Sequence, residues 1–311
     1  MMFKNSVKLF IANFSVFWKL LLYKIIAIGI CVLLLIPTFS SWGHVLNSVD
    51  FFAGLGNFAN TTMFSSVTSF FEQLFILVDT FLKAIGLLLS YNLFSFIYST
   101  VIVLFVLPFL MELSAIPTGE GLYSYMASLS KSSFVGTLIA KMGKSMFYAL
   151  LRTLCTLPFI ALMGVTLYYM LSLVTINSLW AIFVPVMVVI YFSIMTALMI
   201  TFFSGWMPAT VVFDISPING MKKGFKAVFR RFFRVFSSIL MIIIITTMFT
   251  FMFTTFSLFI LVPLCSVCVV MLEMVMFFES QGMRYYVDLD SIVTPKKLEQ
   301  CDRLKKVKDI I

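Results

Sequence analysis

Three charged side chains interrupt long apolar stretches of this sequence: Lys24, Arg152 and Glu273. A charge at the centre of a bilayer costs about 2.5–3.5 kcal/mol on insertion scales, so an intramembrane ion marks a functional site by default. Arg152 and Glu273 fall at matching depths of different stretches, which predicts either an ion pair that fixes helix packing or part of an ion pathway. A pathway would need further carboxylates or a histidine, and none continues the relay in the sequence. Lys24 lies near one end of its stretch, where a lysine side chain can reach the interface.

Cysteine and histidine give no sign of a metal or redox centre. Cys265 and Cys268 form a Cys-x-x-Cys motif, but no other cysteine or histidine lies near them in the sequence. Because a structural zinc site needs four ligands, we interpret both as packing thiols. The sole histidine, His44, lies in a connecting segment outside the apolar stretches. We therefore predict no metal and no cofactor, and catalysis would have to rest on Arg152 and Glu273.

The composition indicates what kind of element must position these residues. Of the 311 residues, 61% are hydrophobic and only 11% are charged. A soluble domain needs far more polar surface, and no polar segment is long enough to form an independent catalytic domain. We therefore predict an all-α, polytopic helical membrane protein, with a single transmembrane domain over residues 1–279 and a cytoplasmic tail over 280–311.

Six apolar segments are long enough to span a bilayer, whose hydrocarbon core takes about 20 helical residues. The run from 235 to 278 would be roughly 65 Å long as one helix, so it must fold back as two spans. The six transmembrane helices are predicted near residues 20–39, 93–112, 145–174, 178–206, 236–255 and 257–278.

The basic residues predict the orientation, because cationic segments are retained on the cytoplasmic side. Basic clusters precede the first, third and fifth spans, whereas the alternate connections hold one cation, Lys83. Both termini are therefore predicted to lie in the cytoplasm. The clusters are Lys4, Lys8 and Lys19; Lys131, Lys141 and Lys144; and Lys222, Lys223, Lys226, Arg230, Arg231 and Arg234. We expect the third cluster to bind the anionic headgroups of membrane lipids or a partner, and we expect no nucleic acid.

Residues 67–90 are also apolar, but we do not count them as a span. A crossing there would move the third basic cluster to the outside, against the charge rule. The apolar positions recur every three or four residues, and Asp79 and Lys83 lie four apart on the polar side. This pattern favours an exterior amphipathic helix, either on the membrane surface or continuous with the second span.

Each basic cluster is patterned as an amphipathic interfacial helix, over residues 3–19, 131–144 and 219–235. Aligning Lys8 with Lys223 superposes phenylalanine on phenylalanine three times and Lys19 on Arg234. The pattern indicates one of two origins. Either the chain holds three parallel copies of a basic helix followed by a transmembrane hairpin, or membrane-surface helices gather phenylalanine and lysine in any case.

The segment before the third cluster is predicted to be a cytoplasmic elbow. Asp214 or Ser216 can cap the helix that follows, and Pro217 suits its first turn. A proline, an aspartate, a Ser-Pro pair, two lysines and two phenylalanines form the pattern there: Pro208, Asp214, Ser216, Pro217, Lys222, Lys223, Phe225 and Phe232. In proteins that share this pattern, an acidic residue is commoner at the position of Asn219 and an asparagine at the position of Arg231.

With these residues the chain resembles an uncharacterised family of Gram-positive six-helix integral membrane proteins. It is similar in the same segment to the membrane domain attached to some glycerophosphodiester phosphodiesterases. The resemblance covers about a tenth of the chain closely and the six-span layout loosely. It implies a multi-pass protein of the bacterial plasma membrane and no known activity, since the phosphodiesterase chemistry resides in a separate soluble domain.

The tail is predicted to contain a short helix that Thr294 caps and Pro295 begins. A narrow apolar edge along residues 294–311 would dock either onto the protein's own cytoplasmic face or onto a membrane or cytoplasmic protein partner.

No phosphate-binding glycine loop, zinc-protease motif or paired acidic constellation occurs in the sequence. We therefore expect a non-enzymatic, accessory or permease-like component of a membrane transport or assembly system. One alternative is a self-sufficient small-molecule transporter, because broken helices can line a cavity and prolines fall in or at the end of five spans. Those prolines are Pro37, Pro108, Pro158, Pro185 and Pro263. The other alternative is an intramembrane enzyme that acts on lipids, centred on Arg152 and Glu273.

Overall fold

The computed structural model describes residues 2–60, 67–176, 180–252, 254–288 and 291–294. The predicted all-α class is confirmed, since nearly every described residue is helical. The helices are α1 Met2–Ala12, α2 Ser15–Leu35, α3 Phe39–Ser48, α4 Phe51–Asn60, α5 Val67–Tyr91, α6 Leu93–Val101, α7 Leu107–Leu113, α8 Ala115–Ser128, α9 Phe134–Ala140, α10 Met142–Ile176, α11 Trp180–Phe203, α12 Trp206–Val212, α13 Pro217–Phe229, α14 Phe232–Met252 and α15 Thr254–Gln281.

Short irregular elements join some of these helices. A 3₁₀ turn at Ile36–Thr38 contains Pro37 and links α2 to α3, and a π-helical turn at Ile102–Val106 links α6 to α7. The tail begins with a small antiparallel hairpin of β1, Tyr285–Tyr286, and β2, Ile292–Val293. The tail helix predicted from Thr294 falls on 295–311, outside the described residues.

Seven helical stretches of the described residues are long and apolar enough to cross a membrane. Each of the six predicted spans overlaps one of them, and the additional stretch is Gln73–Tyr91, within the helix predicted to lie outside. That helix does not run on into the next one. Asn92 separates α5 from α6 and caps α6, because its side-chain oxygen accepts a hydrogen bond from the Ser95 backbone N–H at 3.1 Å.

The three predicted interfacial helices, over 3–19, 131–144 and 219–235, are each interrupted. In each, a turn of one or two residues separates a short helix from the long apolar helix that follows. The turns lie at residues 13–14, at Lys141 and at residues 230–231. At the first break the Asn13 side chain donates to the Leu9 carbonyl at 3.2 Å, so it competes with the backbone for a helical acceptor. Each predicted interfacial helix is therefore a short helix that ends before the following apolar helix starts.

The predicted domain over 1–279 falls into two compact units. Unit 1 comprises Met1–Ile26, Leu110–Arg152 and Thr196–Ile311, and unit 2 comprises Ala27–Phe109 and Thr153–Met195. At the core of unit 1 lies the second half of α15, which α1, α8, α12, α13 and α14 contact. Its buried residues are Met271, Leu272, Glu273, Met274, Val275, Met276, Phe277 and Phe278.

Close backbone packing joins α12 to α13 in unit 1. A Cβ atom on Gly205 would collide with the Gly224 backbone, and one on Gly220 would collide with Thr210. The Trp206 indole N–H also donates to the Pro217 carbonyl at 2.7 Å. Small residues four apart are typical of close helix contacts in membranes. The spacing of Gly220 and Gly224 could therefore have predicted this contact, although the phenylalanine and lysine pattern of the same segment did not.

Neutral groups connect the helices of unit 2, whereas its Lys83–Asp79 ion pair lies within α5. Ser41 of α3 accepts hydrogen bonds from the Asn92 amide at 3.0 Å and from the Ser95 hydroxyl at 3.1 Å. The Trp42 indole N–H donates to Ser99 at 3.0 Å, and its ring stacks on Phe81 of α5. The helices of this unit therefore pack through hydroxyl, amide and aromatic contacts.

Candidate functional site

A cavity of about 300 Å³ lies within unit 1, and charged side chains from four helices line it. They are Lys24 of α2, Glu112 of α7, Arg152 of α10 and Glu273 of α15. Hydroxyl groups supply further polar surface, from Ser114, Thr118, Tyr148, Thr246 and Ser266. We call this space the charged cavity. All three intramembrane charges predicted from the sequence therefore converge on one place.

Arg152 is the most constrained of the four charged residues. Its Nη1 donates to the Tyr148 hydroxyl at 3.2 Å and to the Phe203 carbonyl at 3.1 Å. Its guanidinium also lies 5.0 Å from the centre of the Phe203 ring. Its Nε lies 3.8 Å from Glu112 Oε1, which is ion-pair distance. A guanidinium held from several sides cannot turn freely, so its charge is fixed at the wall of the cavity.

The ion-pair partner of Arg152 differs from the predicted one. Glu112, rather than Glu273, lies at ion-pair distance from Arg152, although Glu273 interacts with it electrostatically over a longer range. The sequence did not single out Glu112, because this residue lies at the end of the predicted second span and not within it. A carboxylate next to the apolar run of α7 was the available signal.

Glu273 is buried on the most enclosed helix of unit 1, yet it faces the charged cavity. Only 4% of its surface is exposed. Among the described residues, no basic group lies within ion-pair distance of its carboxylate. An ionised carboxylate is costly to bury without a counter-charge, so a cation bound in the cavity would stabilise the ionised form of Glu273.

Lys24 turns inward. Its Nζ donates to the Ser266 hydroxyl of α15 at 2.8 Å, so it reaches across to a neighbouring helix within the cavity wall. The expected extension of this side chain to the membrane interface is therefore not what the structure shows. The Ser266 hydroxyl satisfies one of the three N–H donors of the ammonium group.

A second charged cluster lies at the predicted elbow. Asp214 Oδ1 lies 2.7 Å from Lys144 Nζ and 3.1 Å from Lys141 Nζ, and Lys141 also forms an ion pair with Glu120. Hydrogen bonds from Lys144 and Lys141 lower the pKa of Asp214 to about 2. Asp214 thus joins the second basic cluster to the elbow, and it does not act as the predicted helix cap.

The start of α13 agrees with the predicted elbow in part. Pro217 occupies the first turn, and Ser216 is the N-cap residue by its backbone conformation. The Ser216 side chain makes no capping hydrogen bond. Asp214 has a positive φ of 48°, a conformation that aspartate tolerates better than most residues, so it forms the turn itself.

Most of the third basic cluster is exposed, as a membrane-surface or partner-binding role requires. Lys222, Lys223, Lys226, Arg230 and Arg234 are exposed. Lys223 lies 4.4 Å from the centre of the Phe213 ring. Arg231 differs from them, because its Nη1 lies 3.3 Å from Glu279 Oε2 at the end of α15. The basic face of α13 and the start of α14 therefore consists of the five exposed residues.

A buried tyrosine at the start of the tail connects α1 with the end of α15. The Tyr285 hydroxyl accepts a hydrogen bond from the Asn5 amide at 2.9 Å and donates to Glu279 Oε1 at 3.2 Å. Burial and the adjacent carboxylate of Glu279 raise the pKa of Tyr285. The Lys8–Asp288 ion pair, at 3.6 Å, makes a further connection. The start of the tail is thus packed against unit 1.

The two thiols of the Cys-x-x-Cys motif form neither a disulfide nor a metal site with the described residues. Cys265 and Cys268 are free, and among the described residues no group of three or more cysteine, histidine or acidic side chains is placed to hold a metal ion. Cys265 lines the charged cavity and Cys268 does not. This difference makes the two thiols useful reporters of the cavity.

No known protein family, curated protein or solved structure matches this chain.

Proposed function

We propose that this protein is a non-enzymatic, permease-like component of a membrane transport or assembly system, and that the charged cavity is its ligand-binding site. The position of Glu273 carries the proposal. The Arg152–Glu112 pair and the Lys24–Ser266 hydrogen bond hold neighbouring helices together. The buried Glu273 carboxylate instead faces the cavity, and none of the described residues lies at ion-pair distance from it. Intramembrane charges that face a cavity are typical of substrate pathways.

The volume and lining of the cavity support a small polar ligand. A volume of about 300 Å³ lies at the lower end of the range for small-molecule sites, which is about 300–1,000 Å³. Two cations and two carboxylates line it, so a ligand that carries both charges would satisfy them together. Binding of this kind needs no chemical step.

Two native thiols test whether the cavity is open to water. Two single-cysteine proteins keep either Cys265 or Cys268, and serine replaces the other four cysteines. We expect a permanently charged methanethiosulfonate reagent to modify Cys265 much faster than Cys268, because only Cys265 lines the charged cavity. The membrane-permeant N-ethylmaleimide should modify both and serves as the control. Equally slow modification of both thiols by the charged reagent would contradict the proposal.

We also propose a six-span topology in the bacterial plasma membrane, with both termini in the cytoplasm and α5 outside. The charge distribution supports this, because Lys83 is the only lysine or arginine of unit 2. If Gln73–Tyr91 were a seventh crossing, the basic face of α13 would lie outside, against the charge rule. Cysteines engineered beside Lys83 and beside Lys226 should differ in their labelling by an impermeant reagent added to intact cells. Labelling at both positions would contradict six spans.

An accessory role is the second candidate, and the exposed basic face favours it. Each cation near an anionic leaflet contributes about 1 kcal/mol, so five exposed cations provide a strong and salt-sensitive attraction to lipid headgroups or to an acidic partner. Purification in mild detergent should then recover a defined partner with the wild type. Replacing Lys222, Lys226 and Arg230 by glutamine should release that partner, whereas replacing Lys131 should not. Equal recovery with both variants would contradict this role for the face.

A further inference from the structure

An apolar groove of about 420 Å³ lies beside the charged cavity in unit 1. Its walls come from α1, α14 and α15, with Phe3 and Phe10 on one side and Ile245 and Leu264 on the other. Almost no polar surface lines it. The groove has the chemistry of a hydrocarbon-binding surface, and two of its three helices, α14 and α15, contain stretches with the length and composition of membrane spans.

The groove and the cavity share part of their walls. Thr246 of α14 and Cys265 of α15 line both spaces. A charged compartment and an apolar compartment are therefore adjacent, with one hydroxyl and one thiol at their junction. A ligand that fills both must be amphipathic.

The charges of the cavity restrict the polar part of such a ligand. Lys24 and Arg152 offer two cations, which suit a phosphate, and Glu112 and Glu273 offer two carboxylates, which suit an ammonium group. An anionic headgroup without an amine would leave Glu273 buried and unpaired. A headgroup with both charges supplies a partner for Glu273 while its phosphate faces the cations.

We propose that the charged cavity and the apolar groove form one binding site for a phospholipid with a zwitterionic, amine-bearing headgroup. The headgroup occupies the cavity and an acyl chain occupies the groove. This inference rests on the proposed function of the cavity as a ligand site, and it names the ligand class. A water-soluble solute with the same charges would use the cavity and leave the groove empty.

A lipid titration distinguishes these ligands. Protein purified in mild detergent and freed of lipid is titrated with dioleoyl-phosphatidylethanolamine, dioleoyl-phosphatidylglycerol or the chain-free glycerophosphoethanolamine, and bound molecules are counted by native mass spectrometry. We expect one tightly bound phosphatidylethanolamine per chain, with phosphatidylglycerol about tenfold weaker, the equivalent of one lost polar interaction. Glycerophosphoethanolamine should not be retained, because it has no chain for the groove.

Matched variants test each compartment separately. Glu273→Gln keeps the shape of the side chain and removes its charge, so it should abolish the preference for phosphatidylethanolamine over phosphatidylglycerol. Ile245→Trp should fill the groove and weaken lipid binding about tenfold. Ile244→Trp is the control, because Ile244 neighbours it on α14, is similarly exposed (41% against 38%) and does not line the groove.

The outcomes separate this inference from the proposed function. Phosphatidylglycerol bound as tightly as phosphatidylethanolamine would overturn the assigned headgroup. Unchanged lipid binding by Ile245→Trp, together with tight binding of glycerophosphoethanolamine, would overturn the lipid assignment and leave the cavity as a site for a soluble ligand. An unreactive Cys265 and no bound ligand of any kind would contradict both proposals. Size-exclusion chromatography of each variant establishes that it is folded.

Discussion

The two units of this protein satisfy their polar groups by different means. In unit 2, hydroxyl, amide and indole groups bond to one another, as Ser41 does with Asn92 and Ser95. In unit 1, which holds every lysine and arginine except Lys83, ion pairs and buried carboxylates take that role. The difference teaches that the charged groups of this protein are concentrated in the unit that contains the charged cavity. Neutral hydrogen bonds suffice where helices only have to pack.

The largest effect is expected from removing the cation at the wall of the charged cavity. Arg152→Met removes the partly buried ion pair with Glu112 and the hydrogen bonds to Tyr148 and to the Phe203 carbonyl, and a hydrogen bond made by a charged group typically contributes about 1.5–3 kcal/mol. The free energy of unfolding in detergent micelles measures this cost. The matched variant Arg230→Met removes an exposed arginine and should change that free energy by less than about 0.5 kcal/mol. Equal effects of the two variants would show that the position of Arg152 in the charged cavity adds nothing to its contribution to stability.

The next effect concerns the close contact of α12 and α13. Gly205→Ala should destabilise unit 1 by about 1–3 kcal/mol, because the added methyl group would collide with the Gly224 backbone. Gly86→Ala in unit 2 is the control, since a Cβ atom there meets nothing within 4 Å. Thermal unfolding of both variants, followed by circular dichroism, checks the prediction. A loss of stability in Gly86→Ala as large as that in Gly205→Ala would contradict it.

A smaller effect is expected for the neutral network of unit 2. Asn92→Ala removes the cap of α6 and a hydrogen bond to Ser41, and loss of an N-cap side chain costs about 0.5–2 kcal/mol. Ser90→Ala makes the comparison, because the Ser90 hydroxyl donates to the Leu87 carbonyl of its own helix. Hydrogen exchange at the start of α6 should increase in Asn92→Ala and stay unchanged in Ser90→Ala. Unchanged exchange in both would show that Asn92 is dispensable.

The smallest effect is expected at the elbow and depends on pH. The pKa of Asp214 is lowered to about 2 in the folded state, so its ion pairs stabilise the fold above its ordinary pKa and are lost as the pH falls towards 2. Because the side chain is 72% exposed, solvent screening limits the contribution to less than about 1 kcal/mol. Asp214→Asn should lower the unfolding midpoint slightly at pH 7 and converge with the wild type near pH 2. A difference that persists at pH 2 would contradict the ion-pair explanation.

The sequence predicted the helical class and the intramembrane charges, because apolar length and isolated charged residues are local signals. It did not predict the partner of Arg152, since the choice between Glu112 and Glu273 depends on how four helices assemble. The turns at residues 13–14 and 230–231 were also missed, because the apolar stripes continue across them. Local sequence suggests only a capping role for Asp214, because the lysines that it contacts, Lys144 and Lys141, lie 70 and 73 residues away in the sequence.

A double-mutant cycle between Arg152 and Glu273 tests most directly whether these charges belong to one cavity. The free energies of unfolding of Arg152→Met, Glu273→Gln and the double variant are compared with that of the wild type in the same detergent. A shared cavity predicts a coupling of about 0.5–3 kcal/mol between the two changes. Effects that add to within about 0.3–0.5 kcal/mol, as for independent sites, would contradict it.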